Sequence, residues 1–480
     1  MKATILLCTL IISYYGHAQN KAWELNDIIN LAITRSPTYN LTKTQAEISY
    51  YQYLAFKSNY RPQISIYGDI PSFDKEFYGV RQPNGSIKFQ SIKQNNTNLG
   101  FSLSQPLAWT GGEISLNSSY SRFDDFNAKS KQYNAIPVYF HLSQSLFGYN
   151  DLKWKKKIEP LKLEESKYEF ARQVETIAWQ TIKYYFDVLE AQTNITITDG
   201  NLKSAATNYE IEKKRLNLGT TTEDKLLQLE LQVMRNTQDI DKYKYQNQIA
   251  QLNLKTYVGI TDTNDIMLAL PERIPDFRID VERSVEMARK NCPQNISFER
   301  KKLEAERDVA QAKAGQKQIQ ISLSYGLNNV GNEFTDVYKN PYSQQRLGIG
   351  FNIPVVDWGR AKARYNTAKA SEKLIKYNND IEQANYVLEI YTFIGNFNYL
   401  QNNIALAKKT EILAEKRYST AYNLYKSGNL SITDLTLAQA EKDNAKRNYI
   451  VSLREYWDAY YLLRRLTLFD FEKNESLLKK

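Results

Sequence analysis

Between Arg346 and Arg364 the chain changes structural period. Leu347, Ile349, Phe351 and Ile353 alternate with Gly348, Gly350 and Asn352, which is the two-residue period of a strand with one apolar and one small or polar face. Pro354 ends that ladder and Trp358 follows it. From Ala361 onward Ala, Lys, Glu and Leu dominate, a composition that favours a long helix. The stretch predicts a membrane strand that feeds a long periplasmic helix.

The same succession is written twice. Ser36-Pro37 opens a helical run to about Asn59, followed by Gln63-Ile64-Ser65-Ile66-Tyr67-Gly68; Cys292-Pro293 opens another to about Gln318, followed by Gln320-Ile321-Ser322-Leu323-Ser324-Tyr325-Gly326. The two Gln-Ile-Ser segments lie 257 positions apart. Further on, Ser145-Leu146-Phe147 matches Pro354-Val355-Val356, and Leu218-Gly219 matches Ser427-Gly428, both at an offset of 209. Each half therefore reads as helix, strand, loop, strand, long helix, turn, long helix. The expected long helices are Asp151 to Asn217, Thr222 to Val258, Asp357 to Lys426, and Ser431 to about Phe469. Close to seventy helical residues span roughly 100 Å. Leu226, Leu229, Val233 and Ile240 in one half, and Leu435, Ala438, Ala445, Tyr449, Tyr456, Tyr460 and Leu463 in the other, keep the 3-4-7 spacing of a coiled-coil stripe.

The offset falls by 48 residues across the strands, so the first half carries an insertion. Leu99, Phe101 and Leu103 alternate into Gln105-Pro106, Thr110-Gly111-Gly112 can turn, and Ile114, Leu116 and Tyr120 alternate outward; Val138, Phe140 and Leu142 lead to Ser145. This predicts four strands in the first half and two in the second, with polar loops at about 71 to 96, 123 to 137 and 327 to 345. Whether the extra hairpin at about 99 to 122 belongs with the other strands is left open by the pattern. Short turns on one side and long loops on the other are the habit of outer-membrane barrels. Gly259, Leu270-Pro271 and Pro275 mark a connector, which divides the chain into residues 19 to 270, 271 to 470 and a charged tail at 471 to 480.

Composition narrows the class. Mean hydropathy is −0.56 and 24% of residues are charged, too polar for a bundle of membrane helices. Residues 1 to 18 read as a signal peptide, with Lys2, an apolar core from Ile5 to Ile12, and Gly16-His17-Ala18 at the cleavage end. Cys8 lies inside that apolar core after Leu7, which argues against lipidation. Beyond Gln19 no apolar run approaches the ~18 residues of a spanning helix, so a barrel is the remaining way to cross a membrane. After cleavage His141 and Cys292 stand alone. They cannot form a disulfide, a zinc site or a nucleophile pair. Cys292 reads as a small buried residue before a helix start, and His141 as a polar-face strand residue. No cofactor is expected, and no pair of acids is singled out for catalysis. The net charge of +10 does not point to nucleic acid, because basic and acidic residues interleave along the helices. The one basic cluster, Lys153 to Lys157 with Trp154, follows a strand end.

With these features in order, the chain resembles the outer-membrane factor (TolC-like) family over its mature length. The resemblance rests on Pro37 and Pro293, on Gln105-Pro106-Leu107 and Ile353-Pro354-Val355 with Asp357-Trp358-Gly359, and on the tip turns Arg215 to Gly219 and Tyr425 to Leu435. It implies an α+β membrane protein in the outer membrane: a homotrimer whose strands close one β-barrel, continued by a helical coiled-coil tunnel in the periplasm. A periplasmic adaptor and an inner-membrane transporter would be its partners, and drugs or small toxic solutes its cargo. A protein-secretion duct and, in a different class, a periplasmic coiled-coil adaptor are the alternatives; the adaptor would not explain the strands or the duplication.

The resemblance also implies roles for particular residues. Gly219, Gly428, Leu218 and Leu430 would meet the adaptor. Pro354, Asp357, Trp358 and Gly359 would form the joint of barrel and tunnel. Asp434 matches a family gate acid, while Lys225 occupies the corresponding first-half place and Leu430 stands where some members carry a basic residue. Asp434 is expected to pair with Lys225, with Asp224 beside it. Ser431-x-x-Asp434 and Thr221-x-x-Asp224 also read as helix-capping starts.

Overall fold

A computed structural model describes residues 22–262, 264–275, 277, 279–291, 293–315 and 318–478. The expected signal peptide and Cys292 lie outside the described residues. In chain order the elements are α1 (Leu25–Arg35), α2 (Pro37–Ser58), β1 (Gln63–Asp69), β2 (Phe73–Arg81), β3 (Ile87–Leu107), β4 (Gly112–Asp125), β5 (Ser130–Leu146), α3 (Asp151–Asn217) and α4 (Glu223–Val258). There follow α5 (Val281–Asn291), α6 (Pro293–Ala314), β6 (Gln318–Gly331), β7 (Tyr342–Asn352), α7 (Arg360–Lys426), α8 (Ile432–Thr467), β8 (Phe469–Asp470) and β9 (Glu475–Ser476). The helices α3 and α7 have 67 residues each, and α4 and α8 have 36 each. Among the described residues, no helix is long and apolar enough to cross a membrane.

The chain divides into two units. One contains residues 45–169 and 293–386, and its centre is a seven-stranded antiparallel sheet. The order across the sheet is β1-β3-β4-β5-β6-β7, and β2 pairs with β3 beyond the stretch that β1 occupies. The extra hairpin is therefore in the sheet, between β1 and β5.

Three expected loops are corrected. The segment at 71 to 96 contains β2 and the start of β3, so the first half has five strands. Backbone pairing does not depend on side-chain polarity, and β2 carries Lys75 and Glu76 without disturbing its ladder with β3. The turn between them is tight: Gly85 donates to the Gln82 carbonyl at 2.9 Å and takes φ +83°, the left-handed conformation glycine allows. At 123 to 137 the loop shrinks to residues 126–129, where the Asp125 carboxylate accepts from the Asn127 and Ala128 amides at 2.8 and 3.0 Å. At 327 to 345, β6 runs to Gly331 and β7 resumes at Tyr342.

The other unit contains residues 22–44, 170–291 and 387–478 among those described. Its core runs along α8, where Leu435, Ala438, Ala445, Tyr449, Tyr456, Tyr460 and Leu463 are all buried, as the stripe predicts. Of the α4 stripe only Leu229 is buried. The connector after Gly259 is pinned to α3: Gln192 donates to the Ile266 carbonyl at 2.6 Å, and Tyr185 donates to the carbonyls of Trp23 and Ala269. The segment from 471 to 478 turns back on the end of α8. Glu475–Ser476 pairs with Phe469–Asp470, and half-buried Arg464 holds the buried Asp470 carboxylate at 2.6 Å.

Candidate functional site

Two places in the fold carry the residues singled out above. The first lies at the ends of the long helices. Helix α3 closes with the Thr220 amide donating to the Arg215 carbonyl and the Gly219 amide to the Leu216 carbonyl, each at 2.9 Å. Helix α7 closes in the same way, Asn429 donating to Leu424 at 2.9 Å and Gly428 to Tyr425 at 3.0 Å. Both ends are Schellman turns, with Gly219 at φ +70° and Gly428 at φ +80°. Leu218 and the two glycines are exposed, whereas Leu430 packs against the core of Leu229, Tyr425, Ile432 and Leu435.

Behind these turns sits a buried cluster that spacing did not reveal. Tyr425 donates its hydroxyl proton to Glu212 Oε1 at 2.7 Å, and Arg215 Nη1 donates to the same oxygen at 2.7 Å. Arg215 Nη2 donates to the Tyr425 carbonyl at 3.0 Å, and its guanidinium lies 5.0 Å from the centre of the Tyr425 ring. Tyr425 is 1% exposed and Glu212 2%. Burial alone would raise the Glu212 carboxyl; the hydrogen bonds, led by that from Tyr425, outweigh it and hold the group below the usual glutamate range. Burial pushes the Tyr425 phenol up, and the carboxylate beside it adds to the effect. The one sequence signal was an acid near a helix C-terminus, where the dipole disfavours it, three residues before an arginine.

The start of α8 is capped as expected. The Asp434 amide donates to Ser431 Oγ at 3.1 Å, and the Ser431 hydroxyl donates to Asp434 Oδ2 at 2.7 Å. The start of α4 differs: its N-cap is Thr222, which makes no side-chain capping bond, so the Thr221-Asp224 box is not formed. Asp434 and Lys225 do not pair within the chain. Asp434 lines a cavity of about 420 Å³ with Arg417 and Leu430, and Lys225 lines another of about 540 Å³ with Glu212, Arg215 and Tyr425. The exposed Asp224 and Lys225 sit on the first turn of α4.

The second place is the passage from β7 into α7. Asp357 accepts from the Gly359 amide at 3.0 Å and the Ala361 amide at 2.8 Å, which caps α7 and, with the Ala361 bond leading, holds the carboxyl below its usual range. Gly359 has φ +81°, and Trp358, at φ +52°, is 95% exposed. The first half makes the equivalent passage with Asn150, whose Oδ1 accepts from the Lys153 amide at 2.9 Å. Pro354, Asp357, Ser145 and Gly148 line a cavity of about 930 Å³ at this passage. His141 lies on β5, its Nδ1 3.0 Å from Ser324 Oγ and its ring stacked on Tyr139. Among the described residues, no group of three or more His, Cys, Asp or Glu is placed to hold a metal ion.

A fold that joins an antiparallel sheet to 67-residue and 36-residue helices, with capped passages between them, is shared with solved outer-membrane channels. The profile of the outer membrane efflux protein family matches residues 88–260 and 295–467, and the chain belongs to that family. The fold is similar to the CmeC outer membrane channel of Campylobacter jejuni, at 16% identity and a TM-score of 0.67 over 94% of this chain and 87% of that one. It is also similar to the outer membrane protein VceC of Vibrio cholerae (12% identity, TM-score 0.64, 92% and 95% covered). The open-state MtrE outer membrane channel of Neisseria gonorrhoeae gives 14% identity and a TM-score of 0.62, with 92% and 88% covered. Among curated protein sequences nothing matches it.

Proposed function

We propose that this chain is one third of a passive exit duct in the outer membrane, through which drugs or other small toxic solutes leave the cell. Family membership supports the efflux role. The trimer is supported by one observation above others: the sheet ends at β1 and β2 on one side and at β7 on the other, and among the described residues neither edge pairs with a further strand. Lipid does not tolerate unpaired backbone groups. Copies of the chain joined edge to edge satisfy them by closing a barrel. The equal lengths of α3 and α7, and of α4 and α8, support the reading of the chain as a duplicated unit whose helices continue the barrel as a periplasmic tunnel.

In this duct the protein performs no reaction and needs no cofactor; transport is energised by an inner-membrane transporter. A periplasmic adaptor meets the exposed turns at Leu218, Gly219 and Gly428, with Leu430 shaping them from within. The cluster of Glu212, Arg215 and Tyr425 ties the end of α3 to the end of α7 and acts as the latch of the closable end. Asp434, Asp224 and Lys225 lie on the adjoining helix starts, where they would meet neighbouring copies and set the charge of the gate. Pro354, Asp357, Trp358 and Gly359 form the joint of barrel and tunnel, with Trp358 as an anchor at the membrane interface. The test is a deletion strain. Increased sensitivity to toxic solutes, restored by the intact gene, is expected; unchanged sensitivity with loss of a secreted protein would move the duct from efflux to secretion.

A further inference from the structure

The sheet is wider than the repeat demands. Two copies of a strand-loop-strand unit would supply four strands, whereas six stand abreast here, because β1 and β2 share one rank along β3. We propose that the β3–β4 hairpin is an integral part of the membrane wall, so that three copies of this chain close a barrel of eighteen strands. This rests on the trimeric duct proposed above and specifies its width.

Over Ser102–Gln105 and Glu113–Asn117 the side chains of the hairpin continue the two faces of the sheet, and the register shifts only beyond that stretch, between Asn117 and Ser119 and between Ala135 and Tyr139. Residues paired across an antiparallel sheet share a face. One row crosses every rank as Ile64, Leu103, Leu116, Phe140, Tyr325 and Gln345, apolar or aromatic as far as the last position. On the same face Gln105, Ile114, Leu142, Leu323 and Leu347 form a second row, aliphatic from β4 onward. Leu99, Phe101 and Leu116 in the hairpin are exposed, as are Leu323 and Leu347 outside it. The next row, on the opposite face, reads Gln63, Ser104, Ser115, His141, Ser324 and Arg346, polar throughout. A hairpin lying outside the membrane would have no reason to keep an apolar face in phase with its neighbours. One in the wall must keep it.

The two edges fit one another in direction. Five antiparallel pairings separate β1 from β7, so the edge strands run oppositely. In an edge-to-edge ring, β7 of one copy then meets β1 of the next in antiparallel fashion, and the even strand number of a closed barrel is preserved. The occupant of each edge is therefore a second copy of this chain. With strands about 4.8 Å apart and tilted about 40°, eighteen strands enclose a wall about 36 Å across, against about 24 Å for twelve.

The proposal is tested with full-length protein in the Cys292→Ser background, reconstituted as trimers in phosphatidylcholine vesicles. Single nitroxide-labelled cysteines are placed at 102, 103, 116, 117, 347 and 348, and their collision with oxygen and with a water-soluble nickel chelate is measured. Labels at 103 and 116 are expected to favour oxygen, and those at 102 and 117 the chelate, in phase with 347 and 348. Chelate access at all four hairpin positions, with alternation kept at 347 and 348, would overturn the eighteen-strand wall and leave the duct standing. Loss of alternation at 347 and 348 as well would overturn both. Electron cryomicroscopy of the unmodified trimer provides a measurement free of substitutions: a wall near 36 Å supports the proposal and one near 24 Å refutes it.

Discussion

The hydroxyl of Tyr425 donates to the carboxylate of Glu212 at 2.7 Å, linking the last turn of α7 to the penultimate turn of α3. A hydrogen bond to a charged acceptor contributes about 1.5–3 kcal/mol. Tyr425→Phe keeps the ring in its apolar seat and removes only that bond. It is expected to destabilise the closed tip by about 2 kcal/mol, and if the latch sets closure, single-channel recordings will show a larger open fraction. Unchanged open fraction with a lower melting temperature would make the cluster structural alone.

The same latch has a defined pH dependence. Hydrogen bonding lowers the folded pKa of Glu212, so its contribution is fully present above the ordinary glutamate pKa and is lost as pH falls through the lower, folded value. The latch is thus intact at neutral pH and weakens only below about pH 4. Glu212→Gln should melt below the wild type at pH 7, and the gap should narrow as pH drops below about 4.

The helix starts at the two tips differ in a way that can be measured. Ser431 makes a capping bond and Thr222 makes none. Ser431→Ala is expected to cost about 1 kcal/mol, while Thr222→Ala should fall within about 0.5 kcal/mol of the wild type. Thermal melting of the two variants side by side checks the contrast. Asp434→Ala adds a reading on the gate, since a change in conductance beyond that of Ser431→Ala would assign the acid more than a capping role.

Arg464 organises the C-terminal hairpin. Its Nε and Nη2 donate to the two oxygens of Glu175 at 2.8 and 3.0 Å, and Nη1 donates to Asp470 at 2.6 Å. Burial alone would lower the guanidinium pKa, but the Glu175 carboxylate outweighs it and raises it. Removing one partner from a buried ionic group typically costs about 3–5 kcal/mol. Arg464→Ala is expected to lose stability on that scale and to expose residues 469–478 to proteolysis; a hairpin that stays protected would contradict the role.

Much of this fold is legible in the sequence because its helices are long and cleanly punctuated. The bounds of α3 follow from a run with no proline beyond Pro160, and Gly219, Gly259 and Gly428 mark three turns that take positive φ. The strands in the lipid-type alternation were legible too, since that period reflects a two-sided environment. The β2–β3 extension was not, because its ladder is held by backbone groups and its side chains are largely solvated. The latch was hidden for another reason. Glu212 and Tyr425 are 213 positions apart, and no local spacing records a contact made by packing two helix ends together. Within the chain Asp434 accepts from the Ser431 hydroxyl, a local contact that the capping spacing foretold.

The central claim, a duct built from three copies in the outer membrane, is most directly tested by native mass spectrometry of material extracted from isolated outer membranes. Particles of three chains that separate into monomers on heating are the predicted result. A soluble periplasmic monomer, with none in the outer-membrane fraction, would contradict the account.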